Sequence, residues 1–148
     1  MKGVIKSIDS YPGVKVVEGC IQVDSGWKGH SPGQFAFVTS KSIEGAHPYT
    51  IASAWNPDER SLSFVIKELG DWTGQLQQWL KVGMSVSVEG PYGCFDFSGR
   101  QPRQIWIGAG IGITPFIASM KYLAQAPGRR KLIYSIPPRI MMRKPSKN

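Results

Sequence analysis

Three short stretches hold residues whose types and spacing could do chemistry. His47-Pro48-Tyr49-Thr50 sets an imidazole, an aromatic ring and a hydroxyl side by side. A flat conjugated ligand that carries phosphate needs an aromatic wall, a hydrogen-bonding group at its edge and donors for its oxygens. Taken alone, the stretch is equally an ordinary strand, because Tyr and Thr are good strand formers and His47 could be a plain surface residue. Gly70-Asp71-Trp72-Thr73-Gly74-Gln75-Leu76 reads as the start of a helix. A helix start presents unpaired N–H groups and a positive dipole end, which attract phosphate, and Gly74 lets backbone approach a ligand closely. It is equally a capped helix and nothing more. Gly108-Ala109-Gly110-Ile111-Gly112 lies between a strand pattern and a helix pattern, the context of a dinucleotide loop. Its spacing is GxGxG and not GxGxxG, so a tight strand-to-helix turn is the competing reading.

The elements that must position these residues are mostly strands. Leu62, Phe64 and Ile66 fall on one side of a period-two run, with Ser61, Ser63 and Lys67 opposed. Met84, Val86 and Val88 alternate with Ser85 and Ser87 in the same way, the pattern of a sheet with one buried side. The second strand is less regular: Val14 and Val16 are in even phase, Ile21 and Val23 in odd phase, which predicts a bulge or break near Gly19. Turns are expected at Tyr11-Pro12-Gly13, from Gly29 to Gly33, at Asn56-Pro57-Asp58 and at Gly90-Pro91-Tyr92-Gly93. One helix, Trp72 to Leu80, interrupts the strands, with Asp71 or Thr73 as its cap. After Arg103 the pattern changes to a buried-type strand (Gln104 to Ile107), the glycines, a helix from about Pro115 to Gln125, and a candidate second strand from Lys131 to Ser135.

The expected fold is therefore mainly β: a six-stranded antiparallel Greek-key β-barrel with one short helix, followed by a partial α/β unit of β-α-β type. The expected organisation is a barrel over residues 1–100, the start of an α/β domain over 104–135 and a basic irregular tail over 136–148.

Charge excludes one class of partner. The net charge is +8, but residues 129–148 contain seven Lys/Arg and no acid, so removing those seven leaves +1 for residues 1–128. A near-neutral body with basicity confined to one end does not fit nucleic-acid binding. Cys20 and Cys94 form no CxxC pair and lack metal-ligand spacing, so no metal site is expected and both thiols are read as reduced. No apolar run approaches the roughly 20 residues needed to span a bilayer, and Met1-Lys2-Gly3 leads into alternating residues, not into an apolar leader.

The three stretches gain meaning together, with Gly33-Gln34-Phe35 and Glu89-Gly90-Pro91-Tyr92-Gly93 beside them. Their order and spacing over residues 1 to about 125 resemble the ferredoxin–NADP reductase superfamily, and within it the ferric reductase and NADPH oxidase branch. The resemblance implies FAD as cofactor and NAD(P)H as electron donor. It implies that Tyr49 stacks on the isoalloxazine, that Thr50 bonds near flavin N5, and that His47, preceding Pro48, faces the FAD phosphates. Val65, Ile66 and Lys67 would follow the flavin with their backbone, and Trp72, Thr73 and Gly74 would hold the pyrophosphate. Gly108, Gly110, Gly112 and Thr114 would form the nicotinamide dinucleotide loop, with Thr114 near the site of hydride transfer. No side-chain acid or base is required for that step, so no catalytic residue is assigned, and His30 is read as a loop residue. The family's partners are flavin, pyridine nucleotide and an acceptor, in this branch a membrane haem domain. The implied location is cytoplasmic, against the membrane where such a partner is present.

Departures from the family bear on function. Ile136-Pro137-Pro138 suits neither a helix interior nor a central strand, and a parallel sheet buried on both faces is not finished by two strands. No Asp or Glu follows the glycines by roughly 20 residues to hold a ribose hydroxyl. Two expectations result: a module passing electrons from NAD(P)H through FAD to haem, iron or another acceptor, or a flavin-binding fragment that does not turn over without a partner chain.

Overall fold

A computed structural model of the chain describes residues 1–40, 45–67, 80–98 and 104–125. Six strands follow in order: β1 (Lys2–Tyr11), β2 (Val16–Val23), β3 (Phe35–Thr39), β4 (His47–Thr50), β5 (Ser61–Lys67) and β6 (Ser85–Tyr92). A single 3-10 turn, Pro12–Val14, joins β1 to β2. A second, Gly110–Ile113, leads into helix α1 (Thr114–Gln125). The helix expected over residues 72–80 lies, apart from Leu80, outside the described residues, as do the strand expected over 131–135 and the tail.

All paired strands are antiparallel, and the sheet runs β4-β3-β6-β1-β2-β5. It curls until its two ends meet. The contact between β4 and β5 is one isolated bridge, Ile51 to Phe64, reinforced by Ala52 N–H donating to the Ser63 carbonyl at 2.7 Å. The barrel is thus closed at a point and not along a ladder.

The period-two reading of β5 and β6 holds: Leu62, Phe64, Val86 and Val88 are buried in one core with Ile5, Ile21, Val23, Ala36 and Ile51. The irregular second strand resolves differently from expectation. β2 is continuous, and the shifted register falls on β1 between Ile5 and Ser7, opposite Ile21 and Cys20. The phase conflict on β2 arises because both of its faces are covered. Val17, Ile21 and Val23 line the inside, while Val16 packs outside with Ala52 and Val65 in a second small cluster.

Beyond the barrel, Gln104 to Ile107 forms no strand among the described residues. Ile105 and Ile107 are 89% and 86% exposed. A buried-type strand owes its burial to neighbours on both sides, and those neighbours are not among the described residues. α1 is nevertheless fixed to the barrel side. Phe95 and Phe97, leaving β6, meet Phe116 of α1 at ring distances of 6.2 and 5.8 Å, and Trp106 lies almost parallel to Phe116 at 5.7 Å and 27°.

Candidate functional site

The edge between β4 and β5 decides what this barrel can hold. On the β3 side, Ile51 N–H donates to the Gln34 carbonyl at 3.0 Å; on the β5 side, Ala52 N–H donates to Ser63. Backbone groups alternate along an extended chain. Thr50 N–H therefore points to the β5 flank, and so does the position of Pro48, which has no N–H to offer. Proline at an edge facing away from its ladder is where a sheet tolerates it. On β5, Ser63 faces β4 with both backbone groups, its N–H donating to Ser53 Oγ at 3.1 Å. By the same alternation, Val65 and Lys67 turn backbone groups toward β4.

Past the bridge at Ile51 and Phe64, no ladder among the described residues joins 47–50 to 65–67. The barrel wall opens there as a slot. His47, Tyr49 and Thr50 form one lip; Val65, Ile66 and Lys67 form the other. The two sets expected to follow one planar ligand are thus brought face to face.

Side chains sort by face. His47 and Tyr49 point to the inner side, with ring centroids 6.4 Å apart, and Tyr49 meets Phe64 edge-on at 6.3 Å. Pro48 and Thr50 point outward, paired across β3 with Phe37 and Phe35. Phe35, Phe37 and Tyr92 form an aromatic triangle on that outer face, all pairs at 5.7–5.8 Å. The Tyr92 hydroxyl donates to the Glu89 carboxylate, and this bond holds the Tyr92 proton above the ordinary tyrosine range.

A cavity of about 50 Å³ lies inside the barrel behind the slot, walled by Ile5, Ile21, Phe64, Ile66 and Val86 and reaching His47 and Tyr49. Small-molecule sites run to about 300–1,000 Å³, so this space is unfilled lumen and not a seat for a tricyclic ring. At the slot the two lips carry an aromatic ring (Tyr49), an aliphatic side chain (Ile66) and, by alternation, a main-chain N–H directed to the β5 flank (Thr50), the group types that a flat conjugated ligand needs. A wider cleft of about 480 Å³ opens between Ser31-Pro32, Phe97, Trp106 and the Ser119 and Tyr122 positions of α1, and none of the expected contact residues lines it.

The glycine loop forms a tight turn into α1. Gly110 has φ of 55° and opens the 3-10 turn, where Gly112 N–H donates to the Ala109 carbonyl at 3.0 Å. Gly108 is needed for close approach, since a Cβ there would stand 2.9 Å from the Phe116 ring. Thr114 is 1% exposed, and its hydroxyl donates to the Ile111 carbonyl at 2.7 Å, so it caps the turn from within. Trp72, Thr73 and Gly74 lie outside the described residues.

A family model described as an FAD-binding domain matches residues 21–95, half of the chain and the whole of both lips. The chain belongs to this FAD-binding family. FAD is accordingly the cofactor of the barrel. Its curated relatives include ferric reduction oxidases and NADPH oxidases. It is 42% identical over 94 residues to ferric reduction oxidase 5 of Arabidopsis thaliana, covering 60% of this chain and 13% of that protein. It is 36% identical over 96 residues to NADPH oxidase 1 of Rattus norvegicus, covering 60% of this chain and 17% of that protein. This FAD-binding chain therefore spans less than a fifth of either relative. Among solved structures, the flavohem-like FAD/NAD binding domain of nitric oxide dioxygenase from Vibrio cholerae superposes with a TM-score of 0.68 at 23% identity. It covers 84% of this chain and 56% of that one, and shows the shared fold.

Sequence inspection did not single out the Phe95, Phe97, Trp106 and Phe116 cluster, nor the environment of His30. Four aromatics without helical or strand periodicity carry no local signal. No described helix is long and apolar enough to cross a membrane.

Proposed function

We propose that the chain is the FAD-binding module of an NAD(P)H-dependent flavin oxidoreductase of ferric reductase type. The observation that carries this is the slot between β4 and β5, where Tyr49 and the Thr50 N–H on one lip confront Val65, Ile66 and Lys67 on the other. FAD, when bound, supplies the hydride acceptor and releases electrons singly to haem, iron or another acceptor. The protein's own part is placement. Tyr49 provides the wall for one ring face, Thr50 a donor at the ring edge, and β5 a rail of backbone along it. His47 lies two residues before Tyr49 on the same face and serves the phosphate-bearing side, with Trp72, Thr73 and Gly74 holding the pyrophosphate.

Residues 1–100 form the flavin module in this reading, and 104–135 open a pyridine-nucleotide unit in which Gly108, Gly110, Gly112 and Thr114 line the loop. The resemblance to the ferric reductase branch supports a haem-bearing membrane partner and a place on the cytoplasmic face beside it. A second reading is favoured by Ile105 and Ile107, which stand exposed on the α1 side. In that reading the chain binds flavin but acts on a nucleotide only with a partner chain.

The test is an absorbance spectrum after FAD addition and desalting, followed by NADH and NADPH under argon. A retained yellow chromophore that bleaches supports the reductase. One that stays yellow supports the partner-dependent module. A folded chain that retains no chromophore removes both.

A further inference from the structure

His30 lies between β2 and β3, outside every stretch assigned to flavin or nucleotide. Its Nε2 stands 2.9 Å from the Ser53 carbonyl oxygen. A carbonyl only accepts, so the neutral ring carries its proton on Nε2 and a lone pair on Nδ1. Nδ1 is sealed from solvent and has no hydrogen-bonding partner among the described residues. The ring sits between two indoles, Trp27 at 6.1 Å and Trp55 at 5.8 Å, both steeply inclined to it. Gly29 closes the cage: a Cβ there would stand 3.1 Å from the Trp55 ring.

Charged groups of the surrounding segments are engaged elsewhere. Asp24 accepts from the N–H groups of Gly26 and Lys2, and the Lys28 ammonium donates to the Ser25 carbonyl. Among the described residues no charged side chain bears on the titration of the imidazole. Burial pushes its protonation below the ordinary histidine range, opposed by the bond to Ser53.

Ser53 is where the barrel closes. Its Oγ accepts from Ser63 N–H, Ala52 N–H donates to the Ser63 carbonyl, and Ile51 bridges Phe64. The slot lies beyond this bridge, past Thr50 and Val65. His30 is therefore tied through the Ser53 main chain to the clasp that defines the slot's upper end.

We propose that His30 is a positioning residue for the flavin slot: its neutral imidazole holds Ser53, and with it the β4–β5 clasp, and a proton added at Nδ1 loosens that clasp. The added N–H would be a second donor facing no acceptor inside an aromatic cage, and a buried charge without a counter-ion. The sign follows from the lowered proton affinity of the folded state. The clasp is intact above the ordinary histidine value of about 6.5 and is lost as pH falls from there through the lowered folded value. The inference rests on the slot being the flavin seat, but the clasp is testable without flavin.

The experiment is amide hydrogen exchange by NMR on the whole chain without flavin, from pH 7.5 to 5.0, corrected for the intrinsic rate. Ala52 and Ser63 report the clasp; Ile5, which donates to the Met84 carbonyl at 3.0 Å, reports the rest of the sheet. Protection at Ala52 and Ser63 is expected to fall severalfold below the histidine range, because the open clasp binds the proton more tightly than the closed one. Ile5 should be unchanged. His30→Gln keeps a donor for Ser53 but does not titrate, and should make both amides insensitive to pH. In the same samples acidification should raise the FAD dissociation constant more in the wild type than in His30→Gln. Equal losses at Ile5, no loss at all, or the same pH dependence in His30→Gln would overturn the proposal. Where His30→Gln does not fold, the ring titration of wild-type His30 decides: a midpoint that differs from the Ala52 midpoint overturns it. A chain that takes up no FAD at any pH, yet loses Ala52 protection as His30 titrates, overturns the flavin reading alone and supports the clasp.

Discussion

Gly33 and Phe95 meet where no side chain could stand between them. A Cβ on Gly33 would lie 2.4 Å from the Phe95 carbonyl oxygen and 2.7 Å from its ring, and the backbone there has φ of 99°. The contact ties the turn before β3 to the segment that leaves β6. Its neighbour Gln34 in turn holds Ile51, the last partner of β4 before the slot.

Gly33→Ala is therefore expected to destabilise the barrel by about 2–4 kcal/mol, combining a strained left-handed backbone with a clash against main chain that cannot move aside. Urea unfolding followed by intrinsic fluorescence measures it. A midpoint within error of the wild type would mean that the β3 turn and the β6 exit are not packed as described.

Gly108→Ala tests the second close approach. Its Cβ would stand 2.9 Å from two carbons of the Phe116 ring and 3.1 Å from Ile113 Cα. Phe116 lies parallel to Trp106, so displacing it should move the Trp106 environment and shift the emission spectrum, at a cost of about 1–3 kcal/mol. The slot residues are on other elements, so flavin affinity should change less than twofold. A large loss of flavin with unchanged emission would contradict this separation.

Parts of this fold were legible from local pattern. Leu62, Phe64 and Ile66, and Val86 and Val88, alternate because one side of each strand faces the lumen, and period two is a local signal. The His47 to Thr50 stretch offers its chemistry in its own residue types, whereas its partner lip was named only through the family resemblance. That Val65 to Lys67 lies opposite follows from closure of the barrel between residues far apart in the chain. The β1 register shift was misplaced onto β2 because Val16 is buried on the outer face by Ala52 and Val65. An alternation rule assumes one wet face, and Val16 has none. His30 gave no signal, since nothing adjacent in sequence reveals that Trp55 and Ser53 will close over it.

The two cysteines should differ in reactivity. Both are free; Cys94 is exposed and Cys20 is half-buried. Burial pushes the Cys20 thiol up, opposed by a hydrogen bond with Ser61, with Glu18 adding to the rise. Thiolate is the nucleophile, so at pH 8 iodoacetamide should modify Cys94 about tenfold or more faster than Cys20. Peptide mapping of partially alkylated protein checks it, and equal rates would show that β2 does not shield Cys20.

The ion pair between Lys121 of α1 and Glu18 of β2 should contribute little. The charged atoms are 3.7 Å apart, and the side chains are 44% and 32% exposed. Exposed pairs of this kind are worth at most about 1 kcal/mol, reduced further by salt. Lys121→Ala should leave the unfolding midpoint nearly unchanged at physiological ionic strength. A loss above about 1 kcal/mol would assign the docking of α1 to charge and not to the Phe95, Phe97, Trp106 and Phe116 rings.

Tyr49→Leu separates the wall of the slot from the core behind it. Tyr49 is half-buried against Phe64 and lines the lumen, so removing it altogether would also open a cavity. Leucine keeps apolar contact with the core and should cost only about 1 kcal/mol of stability. What it removes is the flat face on the lip opposite Ile66. Stacked aromatic contact is worth about 0.5–1.5 kcal/mol beyond area burial, so FAD affinity should fall roughly threefold to tenfold. The residual bound flavin should also fluoresce more strongly, because a stacked phenol quenches it. An unchanged titration and unchanged emission in a folded Tyr49→Leu chain would take Tyr49 out of the site. The flavin ring would then have to lie on the outer face, against Thr50, Phe35 and Tyr92.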